Sequence, residues 1–64
     1  MKKTLGQKIV YLRGLKDMTQ ESLAKRMGTR VEVISRWEND HNKPSYGMLQ
    51  NLAKVLEVSL DELN

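Results

Sequence analysis

The sequence has no cysteine and no phenylalanine, and only one histidine, one proline and one tryptophan among its 64 residues. Without cysteine there is neither a disulfide nor a thiolate metal site to staple the fold. A single histidine leaves too few ligands for a structural zinc, so no metal and no cofactor is expected. Aromatic residues make up 5% of the chain. The core must therefore come from aliphatic side chains, which suit tightly packed helices joined by short loops. A chain this short buries only about 60% of the surface that it exposes when unfolded, so it has room for one core and little else.

Long apolar runs are missing too. None approaches the ~18 residues that a membrane-spanning helix needs. The stretch MKKTLGQKIVYLRG begins like a signal peptide but has no sustained apolar region behind its lysines. The natural reading is a soluble cytoplasmic protein with no membrane partner. An enzyme is not expected, because the sole histidine, His41, lies in a loop and no nucleophile elbow is present. His41 between Asp40 and Asn42 reads as a polar turn, not as a metal cluster.

Charge is present, and it is uneven. The net charge is +3. Residues 1 to 30 hold eight Lys or Arg against Asp17 and Glu21, a net +6, whereas residues 31 to 64 hold three against six acids, a net −3. The first half suits a polyanion, although an ordinary solvated surface accounts for the pattern about as well.

Local signals divide the chain into five short helices. Thr4 followed by Gln7 has capping-box spacing, and Leu5, Ile9, Leu12 and Leu15 or Lys16 then recur at helical intervals up to about Lys16-Asp17. Thr19 is the next N-cap, with Leu23, Ala24 and Met27 facing inward before Gly28, which can adopt the left-handed turn that ends a helix. A fourth helix opens near Ser45, after Pro44, with Leu49, Leu52, Ala53 and Leu56 on one face. Ser59 and Glu62 repeat the capping-box spacing ahead of a final short helix over Leu60 and Leu63. The whole of residues 1–64 reads as one domain, with residues 1–3 as a flexible basic arm.

Between Gly28 and Pro44 lies VEVISRWE, whose start alternates like a strand. A lone strand would have no partner here, and unpaired edges are costly. At about 100° per residue on a helix, Val33, Ile34 and Trp37 share the core side, while Val31, Glu32, Ser35 and Arg36 share the outer side. Gln20 to Trp37 therefore has helix-turn-helix spacing, a unit that projects the start of its second helix outward, where it can enter a DNA major groove.

At these residues the chain resembles the lambda-repressor/Cro-like helix-turn-helix family, also called the xenobiotic-response-element family. The resemblance runs from LGQKIVYLRGLKDMTQESLAKRMG through VISRWEND and Lys43-Pro44-Ser45 to LAKVLEVSLDEL. It implies an all-α, five-helix fold with the helix-turn-helix formed by the second and third helices. It also implies a double-stranded DNA-binding transcriptional regulator, a repressor by type, acting as a homodimer on a near-palindromic operator. No small-molecule ligand is implied. Leu60, Leu63 and the last two helices are the expected dimer contact.

Carried over position by position, the resemblance implies base contacts from Arg30, Val31, Glu32 and Arg36. It implies phosphate contacts from Gln20, Thr19, Ser35, Asn39, Lys43, Ser45 and Tyr46. Arg13 and Glu38 match a structural ion pair that joins the first helix to the recognition helix around residues 30–38. An exposed Val31 could pack on a thymine methyl, and Arg36 could reach guanine or a phosphate. Glu32 has two equal readings: accepting from cytosine N4, or pairing with Arg36 four residues on.

Three positions depart from the family pattern. Arg30 replaces a small capping hydroxyl, which moves the cap to Thr29. Asp40 stands where glycine is common, at some backbone strain. Val31 cannot make the hydrogen bond to Gln20 that a glutamine makes. The rival reading is an adaptor or anti-repressor of the same fold that does not bind DNA.

Overall fold

A computed structural model describes residues 2–63. It contains α1 (Leu5–Leu15), α2 (Gln20–Met27), α3 (Val31–Glu38), α4 (Tyr46–Leu56) and a terminal 3-10 turn (Leu60–Leu63), with no strand among the described residues. The fold is all-helical, with four α-helices where the sequence suggests five. Leu60–Leu63 close through i→i+3 geometry, with Glu62 N–H donating to the Ser59 carbonyl at 3.1 Å. So short a segment cannot sustain the i→i+4 ladder of an α-helix.

The caps explain why the helices begin where they do. Thr4 Oγ1 accepts from Gln7 N at 3.1 Å, and Gln7 Oε1 accepts from Thr4 N at 3.0 Å, a complete capping box for α1. Thr19 Oγ1 accepts from Ser22 N at 3.0 Å for α2, and Ser45 Oγ from Met48 N at 3.3 Å for α4. Each cap satisfies one of the amides that a helix start leaves without an intrahelical partner. α3 is the exception. Its cap is Arg30, with no side-chain cap bond, and the role expected of Thr29 is not taken up. Gly28 ends α2 at φ 70°, and Thr29 N–H then reaches back to the Ala24 carbonyl at 2.9 Å.

Ile9, Leu23, Ile34, Leu52 and Leu56 are the largest fully buried side chains, one or more from each α-helix. Burying each contributes about 1.5–3 kcal/mol. Met18, Ala24, Met27, Trp37, Ala53 and Leu63 complete the cluster. Two expectations change here. Leu15 is 64% exposed, because α1 ends with it and the chain turns away at Lys16. Leu63 is 2% exposed and belongs to the core, so it cannot serve as a dimer contact. A Lys16–Glu57 ion pair ties the end of α1 to the end of α4.

Candidate nucleic-acid interface

α3 packs against both α1 and α2, burying Ile34, Trp37 and Glu38 and leaving Glu32 and Arg36 exposed. Two contacts at its C-terminal end fix how it is held. The first is steric. A Cβ on Gly6 of α1 would lie 2.5 Å from the Glu38 carbonyl oxygen and 2.6 Å from that of Trp37. Only glycine lets the two backbones approach this closely.

The second is polar. Arg13 Nε and Nη2 donate to the two oxygens of Glu38 at 2.7 and 3.1 Å, while Nη1 donates to the Met18 carbonyl at 2.8 Å. Gln20 Nε2, at the first position of α2, donates to Glu38 Oε1 at 2.8 Å. The Glu38 side chain is 4% exposed and that of Arg13 18%. One carboxylate thus joins α1, α2 and α3 at a single point. The pair with Gln20 is absent from the sequence reading, which assigns this side chain to a phosphate.

Beyond Glu38 the chain turns through Asp40 at φ 60°. Aspartate tolerates this left-handed conformation better than most residues. Its carboxylate also accepts from Thr4 Oγ1 at 2.6 Å and from Gly6 N at 2.9 Å. The Thr4 hydroxyl first, then the Gly6 amide, hold the Asp40 pKa below the usual carboxylate value. The charges of Lys43 and His41 add to this, and desolvation opposes it. Asp40 thereby supplies an acceptor to the start of α1 that glycine could not.

Of the proposed base readers, Arg30, Glu32 and Arg36 are exposed, whereas Val31 is half-buried and packs against the core. Val31 thus offers only part of its side chain to the outer face, the rest lying against the core. Glu32 and Arg36 form no ion pair with each other. Among the proposed phosphate contacts, Thr19 and Ser45 use their oxygens as caps, which leaves each O–H free to donate. Asn39 Nδ2 donates to the Ser35 carbonyl at 2.9 Å. Lys43 and Tyr46 are exposed. Ser35, Arg36 and Asn39 come together with His41 and Asn42 around a depression of ≈ 450 Å³. At the other end of the chain, Lys3 Nζ sits 4.3 Å from the centre of the Tyr11 ring. Met1 lies outside the described residues.

Two short helices held by a buried joint, the second with one polar face outward, make a helix-turn-helix unit. The helix-turn-helix family profile matches residues 9–63, and the chain belongs to that family. It is 40% identical over 58 residues to an uncharacterized helix-turn-helix-type transcriptional regulator, YazB of Bacillus subtilis (strain 168), covering 91% of this chain and 84% of that protein. Its structure is similar to that of the P22 c2 repressor in complex with synthetic operator 9T. The TM-score is 0.91 at 31% identity, over 97% of this chain and 94% of that one. It is also similar to SinR, the master regulator for biofilm formation, in complex with DNA. There the TM-score is 0.87 at 30% identity, over 94% and 97% of the two chains.

Proposed function

We propose that this protein is a sequence-specific double-stranded DNA-binding transcriptional regulator, a repressor by type, which reads the major groove with α3. The observation that carries this reading is the joint at Glu38. It fixes α3 against α1 and α2 while Arg30, Glu32 and Arg36 stay exposed. A reading helix needs this combination of a rigid inner face and a polar, cationic outer one. Kinship with regulators, and likeness to two proteins solved with DNA, support it.

In this reading Arg30, Glu32 and Arg36 face base edges, and Val31 offers its methyls beside them. Thr19, Ser35, Asn39, Lys43, Ser45 and Tyr46 face the backbone on either side. Gln20, with its amide on Glu38, orients α3 more than it grips the backbone. Residues 1–64 act as one domain, with Lys2 and Lys3 near the backbone. Two copies on a near-palindrome would set their α3 helices about 34 Å apart. Such a regulator works in the cytoplasm, beside its operator.

Titrating binding to a random duplex against salt tests the proposal. A protein that neutralises Z phosphates gives log K falling against log salt with a slope of about −0.9Z. A flat response would point instead to an adaptor of the same fold.

A further inference from the structure

α1 is apolar on two sides. Leu5, Ile9 and Leu12 turn toward the core, and Gly6 and Arg13 meet α3. At about 100° per residue the remaining arc of the helix carries Gln7, Val10, Tyr11, Gly14 and Leu15, all of them exposed. Val10, Tyr11 and Leu15 are 42%, 52% and 64% exposed, and of the large hydrophobic side chains exposed among the described residues only Tyr46 lies elsewhere. A surface helix ordinarily keeps its outer face polar, and one that is apolar all round is covered. Gly14 lies in the middle of the arc, and a Cβ added there meets nothing within 4 Å, so the helix carries a notch between its exposed side chains. The charges along the helix run from basic to acidic. Lys3 and Lys8 lie toward its start, with Lys3 Nζ over the Tyr11 ring. At its other end Asp17 is exposed, and Glu57 answers Lys16 in an ion pair.

We propose that this arc of α1 docks a second copy of the same chain, the two α1 helices packing antiparallel about a two-fold axis. In that orientation the surface is its own complement. One antiparallel register sets the Tyr11 ring over the Gly14 notch of the other copy, Val10 beside Leu15, and Lys8 beside Asp17. Each contact then occurs twice, as an isologous interface requires. Glycine lets the ring approach main chain more closely than any other residue would allow, and the ring supplies most of the covered area. A parallel arrangement would set lysines against lysines and Asp17 against Asp17. A partner of one charge sign would match only one end of the helix. α1 has 11 residues and is about 16 Å long. It covers much less than the ~800 Å² per partner of a standard interface, so the contact is weak and concentration-dependent. The inference does not rest on DNA binding, because α1 meets α3 on a different arc.

Sedimentation equilibrium of the chain without DNA, over a concentration series up to about 1 mM, tests the proposal. The wild type should pass from monomer to dimer across the series. Leu15→Glu sets a charge against Val10 of the other copy and should weaken association about tenfold or more. Gly14→Gln fills the notch and should weaken it as much. Its monomer should melt no lower than the wild type, because the added side chain meets open space, which separates a lost contact from a lost fold. Asp17→Asn keeps the tolerance for φ 55° but removes the charge pair, weakening the dimer about two- to fivefold and reducing its sensitivity to salt. A wild type that stays monomeric throughout would overturn the proposal. So would a dimer that survives both Leu15→Glu and Gly14→Gln, which would put the contact elsewhere, or growth beyond a dimer, which a closed two-fold contact excludes. Salt-dependent binding to duplex is measured separately, and the DNA-binding reading stands or falls there alone.

Discussion

Gln20 opens α2 and Glu38 closes α3, and the amide of the first donates to the carboxylate of the second at 2.8 Å. Arg13 of α1 meets both oxygens of the same carboxylate and shares Oε1 with Gln20. The two donors are unequal partners. Arg13 is a charge with further contact to the Met18 carbonyl, whereas Gln20 is neutral.

Removing either partner should therefore cost different amounts. Arg13→Ala leaves a buried carboxylate with a single neutral donor, and about 3–5 kcal/mol of stability should be lost. Gln20→Ala removes one hydrogen bond to a charged group, for a loss of about 1.5–3 kcal/mol. Urea denaturation of the two variants gives the order directly. A Gln20→Ala variant as unstable as Arg13→Ala would show that the amide, not the ion pair, holds α3.

Two glycines of α1 should respond in opposite directions to the same substitution. At Gly6 an added Cβ meets backbone of α3 within 3 Å, and Gly6→Ala should destabilise by about 3 kcal/mol. At Gly14 it meets nothing within 4 Å, so Gly14→Ala should stabilise through helix propensity by about 1 kcal/mol. Thermal melts of the pair check both signs. The Gly6 variant should also lose DNA affinity, because α3 must shift to make room.

Asp40 links stability to acid. Its pKa is lower in the folded chain than in the unfolded one, so the folded state binds fewer protons there. The contribution is therefore full above the ordinary carboxylate pKa of about 4 and is lost as pH falls through the lowered folded value. Asp40→Asn keeps the tolerance for φ 60° but loses the charge. The wild type should melt higher than this variant near neutral pH, and the gap should close as the medium is acidified below about pH 4. A gap that stays constant to low pH would mean that the charge contributes nothing.

Arg36 and Lys43 should separate on DNA. Arg36→Ala should weaken binding to a selected operator more than to random duplex, with a loss of discrimination of about 1–3 kcal/mol. Lys43→Ala should weaken both alike and make the salt slope shallower by about 0.9. Competition binding with a selected and a scrambled duplex distinguishes the two. Equal losses for Arg36→Ala on both would move it from base reader to backbone contact.

What could be seen in the sequence was mostly what is local. The Thr4–Gln7 box, the Thr19 cap, the Gly28 turn and the start of α4 near Ser45 all depend on a few neighbouring residues, and all are present in the structure. The last helix was misjudged because cap spacing says nothing about whether enough chain follows to build an α-helical ladder. Contacts between distant residues were harder. Gly6 against Trp37 and Glu38, and Asp40 against Thr4 and Gly6, span more than 30 residues and leave no periodic trace. Arg13 and Glu38 could be paired only through family resemblance, and nothing in the sequence said that Gln20 would turn inward to join them. Helical angle places Val31 on the outer face but does not say how much of it the core covers, and the structure leaves it half-buried.

The contact of Gly6 with the α3 backbone has a consequence for selectivity. With main chain against main chain on one side and a shared carboxylate on the other, α3 has no slack to swivel toward an imperfect site. Adaptation must then come from the duplex, through groove width and bending whose energy depends on the base steps involved. Operators should accordingly differ in strength at base pairs that no side chain of this protein reaches.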